Sequence, residues 1–159
     1  MYQWLIYLHV FAVLCFLLAH GVQAAVMLQL RHATEPEKAF AMFEALSELT
    51  LIRVLLGVVV VTGLLAGALG PWWDRAWFWL AIVVLLLITL AMRRWGAGYY
   101  TLIENAATAA LEERQADPTA KVAMERFAVA RASWEPIWMT VIGVGGLAVI
   151  LWLMIFKPF

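Results

Sequence analysis

Apolar positions along this chain come in long blocks rather than narrow stripes. One block runs from Trp4 to Leu28, a second from Val54 to Trp73, a third from Ala76 to Met92 and a fourth from Ile137 to Phe156. Each holds about 17 to 25 residues, close to what a helix needs to carry its backbone across bilayer hydrocarbon with every amide satisfied internally. The polar stretches between them also read as helix. After Arg31 and His32, Thr34-Glu35-Pro36-Glu37 reads as a capping box, with Thr34 as N-cap and Pro36 in a first turn that needs no amide donor. The helix it opens is amphipathic over Glu37 to Glu48, with Phe40, Met42, Phe43 and Leu46 set among Glu37, Lys38, Glu44 and Glu48, and belongs at or outside the interface. Gly70-Pro71 stops the second span, and Trp72, Trp73, Asp74, Arg75, Trp77 and Trp79 make a short aromatic turn. Beyond Arg93-Arg94 the pattern stays helical but turns polar as far as Asp117-Pro118. A returning helix is expected from Thr119 to a kink around Glu135-Pro136.

The pattern therefore predicts an all-α membrane protein. It is a four-transmembrane-helix bundle, one integral membrane domain with spans of about 4–28, 54–73, 76–92 and 137–156, and a cytoplasmic helical hairpin extension over about 93–135 between the third and fourth spans. Composition agrees: 65% of the 159 residues are hydrophobic, 14% are charged, and the mean hydropathy is +0.88. The formal net charge is zero, which argues against a general electrostatic attraction to nucleic acid or acidic lipid; the expected partner is the lipid bilayer, with no nucleic acid. Local charge still sets orientation. Arg31, Lys38, Arg93, Arg94, Arg114, Lys121, Arg126 and Arg131 fall in the first and third connections, whereas the other side holds Arg75 and Lys157. The positive-inside rule then puts both termini on the non-cytoplasmic side. Aromatic residues divide in the same way, with Tyr2, Trp4, Trp72, Trp73 and Trp152 at one boundary and Trp95, Tyr99, Trp134 and Trp138 at the other. Val22-Gln23-Ala24 looks like a leader cleavage site, but Met-Tyr-Gln-Trp has no positive n-region, so the first block is read as a retained span. Cys15, the one cysteine, can form neither an intrachain disulfide nor a cysteine metal cluster.

Candidate chemistry begins with two of the three histidines. His9 and His20 lie eleven residues apart in the first span, about three turns and roughly 16 Å along one helix face. An ionisable residue in a span is costly and marks a candidate site; a neutral imidazole can equally be satisfied by one hydrogen bond to a threonine or a carbonyl. Thr62, Thr89 and Thr140 are the hydroxyls expected near the level of His20. Arg53 guards the entrance to the second span, where it can pair with an anionic ligand or Glu48, or snorkel to the interface. Gly63 and Gly67 form a G-x-x-x-G pair expected against the first or fourth helix. No metalloprotease, phosphate-loop or nucleophile-elbow motif occurs, so hydrolase and nucleotide-driven readings have no residue support.

Tyr7-Leu8-His9-Val10 and the ending Leu151-Trp152-Leu153-Met154-Ile155-Phe156-Lys157-Pro158 resemble a large bacterial family of four-span integral membrane proteins without assigned function. More distantly, the chain looks like the membrane domain of copper-resistance protein D and the HemJ-type protoporphyrinogen oxidases, which also place a histidine after leucine in the first helix. The resemblance implies a bacterial inner-membrane protein, with b-type haem as cofactor and His9 as an axial ligand.

With no histidine in the other spans, a bis-histidine site between two helices of one chain is impossible. Three arrangements remain: Met154 as a second ligand at a depth comparable with His9, a homodimer whose histidines sandwich one haem, or His20 ligating a second haem. Arg53 would then face a haem propionate. Copper or zinc at His9 or His20 would want more ligands than methionine and Cys15 provide. The leading expectation is a membrane-embedded b-type haem redox or electron-transfer protein working with quinone or porphyrin. The alternative is a non-enzymatic membrane module, a transporter or assembly subunit that binds a partner in a membrane complex through its helical hairpin.

Overall fold

A computed structural model of the chain describes residues 1–47, 50–117, 119 and 121–158. The described residues form helices and no strand. In order these are α1 (Tyr2–Leu30), α2 (Pro36–Ser47), α3 (Thr50–Leu69), α4 (Ala76–Ala91), a π-helical turn (Met92–Gly96), α5 (Ala97–Ala116), α6 (Val122–Arg131) and α7 (Glu135–Phe156). Four helical stretches are long and apolar enough to cross a membrane: Tyr2–Leu30, Leu51–Leu69, Ala76–Ala116 and Val122–Phe156. Only 17–22% of their most apolar windows is buried by the protein itself. Apolar surface left uncovered on that scale needs a nonaqueous surrounding.

The chain divides into two compact units. The first comprises Met1–Val22, Leu49–Leu90 and Val141–Phe159. Here α1 offers Ala12 and Phe16, four residues apart on one face, to Val59 of α3. Helix α3 presents a face of Val59, Thr62 and Ala66 at helical spacing, all buried. Farther along, Trp77, Phe78 and Ala81 of α4 interlock with Ile150 and Leu153 of α7, and Leu147 touches both clusters. Glycine permits close approach at Gly67 and Gly146. A Cβ at Gly67 would overlap the Phe78 ring, and one at Gly146 would overlap Ile88. Gly67 therefore meets the third span, not the first or fourth as its spacing suggested.

The second unit comprises Gln23–Glu48 and Ala91–Thr140. Its centre is α5, whose Tyr99, Ile103, Ala107 and Ala110 recur every three or four residues and are buried. Ala123, Phe127 and Ala130 of α6 form the matching stripe, and the two helices pack side by side. Met27 and Leu30 from the end of α1, and Pro36 and Ala39 from α2, complete the core. Phe43 meets Tyr100 edge-on at 5.3 Å, whereas Phe40 remains exposed. The side chain of Leu46 and the whole of Glu48, which the amphipathic reading included, lie outside the described residues.

Local boundaries differ from the sequence reading in two places. Helix α2 begins at Pro36, so Glu35 rather than Thr34 takes the N-cap position, and its carbonyl accepts from Ala39 N–H at 3.2 Å. Helix α6 begins at Val122, three residues after Thr119, because Asp117 draws the backbone N–H and hydroxyl of Thr119 into a turn at 2.8 and 2.7 Å. Those two bonds hold the exposed Asp117 carboxyl below the usual carboxylate range. Pro118, the other half of the expected break, lies outside the described residues. The first turn of α6 is capped from its neighbour, Glu113 Oε2 accepting the Ala123 N–H at 2.6 Å. As the sequence pattern predicts, α4 passes into α5 without interruption, through a wide turn at Met92–Gly96 flanked by right-handed helical residues on both sides. The change from apolar to polar at Arg93-Arg94 leaves the helix unbroken, since neither glycine conformation nor proline intervenes there.

Candidate functional site

In the first unit, α1 and α3 bring His9 against Thr62 and Gly63. His9 Nδ1 lies 3.0 Å from Thr62 Oγ1. Thr62 is buried, and its hydroxyl also stands 2.7 Å from the Val58 carbonyl and 3.2 Å from that of Val59. A hydroxyl has one proton, and a carbonyl can only accept. The proton of Thr62 therefore goes to Val58, and Thr62 Oγ1 accepts from His9 Nδ1–H. In the neutral imidazole that chain puts the proton on Nδ1 and the lone pair on Nε2. Beneath the ring, the missing side chain of Gly63 makes the room: a Cβ there would sit 3.0 Å from His9 Cε1 and 3.4 Å from Nδ1. Three residues of α3 thus set the ring's position, its hydrogen bond and its protonated nitrogen.

His20, on the same face of α1, has a different environment. It stacks on Phe16 with ring centroids 5.8 Å apart and an interplanar angle of 13°, and it makes no hydrogen bond among the described residues. None of the three threonines expected near it serves it. Thr62 holds His9, while Thr89 and Thr140 turn back to the carbonyls of Leu85 and Pro136 at 2.8 Å. Hydroxyls in apolar helices readily make such i−4 bonds, which spacing alone does not reveal. Met154 packs against the cluster of Trp77, Phe78, Ala81, Ile150 and Leu153. Arg53 is exposed, and Glu48, its suggested partner, lies outside the described residues. Cys15 is half-buried. Among the described residues no group of three His, Cys, Asp or Glu side chains converges to hold a metal ion.

A polar knot in the second unit has no signal in the sequence. Arg31 donates to the Ala132 carbonyl at 3.3 Å, lies 5.4 Å above the Trp134 ring, and its own carbonyl accepts from Arg131 at 3.0 Å. Arg31 Nε, Tyr99 OH and Ser133 Oγ are buried there with no hydrogen-bond partner among the described residues. Tyr99, expected at the boundary level after the third block, is 2% exposed inside the unit.

Comparison with protein-family models, with characterised proteins and with solved structures finds no match to this chain.

Proposed function

We propose that this chain is a multi-pass protein of the bacterial inner membrane in which His9 provides an axial ligand to a b-type haem. The observation that carries the reading is the hydrogen-bond chain from His9 Nδ1–H through Thr62 to the Val58 carbonyl. A histidine that ligates iron donates its other ring N–H to an acceptor, which fixes the tautomer and raises the basicity of the ligating nitrogen. His9 has that arrangement, with Nε2 as its free base. Bound haem would supply one-electron transfer, with quinone or porphyrin as the exchanging partner. The protein's share is to hold the ring of His9 against Gly63 and to keep Nδ1 protonated through Thr62. His20, on the same face of α1, is the candidate for a second haem or for the facing ligand in a homodimer. Met154 and Arg53 are the corresponding candidates for a second axial ligand and a propionate partner. By charge distribution the termini face away from the cytoplasm, and α5 and α6 form the cytoplasmic extension.

The test is the dithionite-reduced minus oxidised spectrum of protein produced with ample haem supply. Wild type and His20→Ala should show an α-band at roughly 560 nm, as b-type haem does, and His9→Ala should lose it. A wild-type spectrum without the band rejects the haem reading. A non-enzymatic membrane module would then take its place, favoured by one observation: Val122 and Val129 of α6, seven residues apart and so on one face, are 58% and 75% exposed. That face would receive the partner subunit.

A further inference from the structure

The first unit has a second feature, unrelated to His9. A cleft of about 290 Å³ opens where the turn between α3 and α4 meets the end of α7, lined by Pro71, Trp72, Arg75, Trp77 and Lys157. Two of these five residues are cationic, and neither is ion-paired among the described residues. Lys157 is the one non-glycine residue with positive φ among those described, at 45°. It occupies the position just past the last turn of α7, with its N–H bonded to the Leu153 carbonyl at 3.0 Å, where helices ordinarily use glycine. A side chain held in that unfavourable backbone conformation is a reason to look for a role. Here the conformation accompanies a defined placement: Lys157 Nζ stands 4.9 Å from the Trp72 ring centroid and 5.7 Å from that of Trp77. The rings are themselves braced, Trp72 against Tyr2 at 6.1 Å and against Trp77 at 5.5 Å.

We propose that this cleft binds the phosphate group of an anionic membrane phospholipid. Arg75 offers a planar fork of donors suited to phosphate oxygens and Lys157 a compact second charge, while the indoles supply an apolar wall for the glycerol and first methylenes. The location suits that occupant. The cleft lies at the ends of apolar helices long enough to cross a membrane, the level at which tryptophan and lipid headgroups meet. A choline lipid has the same phosphate but would bring a third cation beside Arg75 and Lys157. A free phosphate ion has the oxygens without chains for the indoles. Charge complementarity therefore ranks an anionic lipid above both.

The experiment is the melting temperature of the full chain in a neutral maltoside detergent. It is titrated at constant ionic strength with dioleoyl phosphatidylglycerol, dioleoyl phosphatidylcholine or inorganic phosphate. Phosphatidylglycerol should raise the melting temperature saturably, and Arg75→Gln and Lys157→Gly should each move the midpoint upward by about tenfold, the worth of one charge-assisted hydrogen bond. Lys157→Gly serves as the internal control for folding. Glycine suits φ of 45°, so its melting temperature without lipid should stay near wild type while the midpoint of the lipid response shifts. A saturable response to inorganic phosphate at matched concentration, weakened in the same variants, would name the free ion as the ligand and overturn the lipid assignment. Equal responses to the two lipids, or an unshifted phosphatidylglycerol midpoint in Lys157→Gly, would also overturn the proposal.

Discussion

Thr62 accepts a hydrogen bond from His9 and donates its own to the Val58 carbonyl, with oxygen–nitrogen and oxygen–oxygen distances of 3.0 and 2.7 Å. This geometry places a proton on Nδ1 of His9. Thr62→Val keeps the shape but removes this acceptor from Nδ1–H, and should cost about 0.5–2 kcal/mol of stability in detergent. Thr62→Ser should restore most of it. If His9 holds haem, Thr62→Val should also lower haem retention by about 10–100-fold, the usual worth of such an outer hydrogen bond. Thermal melts and titration with hemin check the two effects separately.

Gly63 and His9 are coupled sterically. Gly63→Ala places a methyl 3.0 Å from His9 Cε1 and should destabilise by about 1–3 kcal/mol through overpacking. In a His9→Ala background the same change should cost almost nothing, because the obstacle is gone. A double-mutant cycle that came out additive would mean that the ring lies elsewhere. Gly67→Ala should be the more damaging change, since it meets the rigid Phe78 ring. Gly57→Ala, with nothing within 4 Å, should be neutral or stabilising by up to about 1 kcal/mol from helix propensity.

Tyr99→Phe is expected to leave stability unchanged or raise it by up to about 1 kcal/mol. Its hydroxyl is buried without a partner among the described residues, so removal takes away a desolvated dipole and breaks no bond. Denaturant melts of the two proteins decide it. A clear loss of stability would show that the hydroxyl has a partner in the folded protein.

Glu113→Ala should uncap α6. The Ala123 amide would lose its 2.6 Å acceptor, at a cost of about 1 kcal/mol, the typical worth of an N-cap. Amide hydrogen exchange should quicken at 122–125 and stay unchanged at 103–110. Glu113→Gln, which keeps a carbonyl oxygen in place, should exchange nearly as wild type.

Topology is tested by labelling single cysteines introduced at Asp74 and Gln115, both exposed, in a Cys15→Ala background. The lysine and arginine distribution predicts that a membrane-impermeant maleimide reaches Asp74→Cys from outside intact cells and Gln115→Cys only after permeabilisation. Equal labelling of both in intact cells would reject the orientation.

Block length and the absence of strand patterns were enough to predict helices able to cross a membrane, because burying twenty backbone amides in hydrocarbon leaves the helix as the open-chain solution. Histidines in a span could likewise be singled out from the sequence, since the cost of a polar group there does not depend on its neighbours. What His9 does with its nitrogens could not, for Thr62 lies 53 residues away and its approach depends on how α1 packs against α3. The same limit explains why Thr62 serves His9 rather than His20, why Gly67 meets Phe78, and why Tyr99 is a core residue. Each is a contact between helices whose rotation about their own axes is set by side-chain packing. Nearly uniform apolar blocks present no single apolar stripe from which that rotation can be read. The cleft of Arg75 and Lys157 joins residues 82 positions apart, and only the tertiary structure brings their charges to one place.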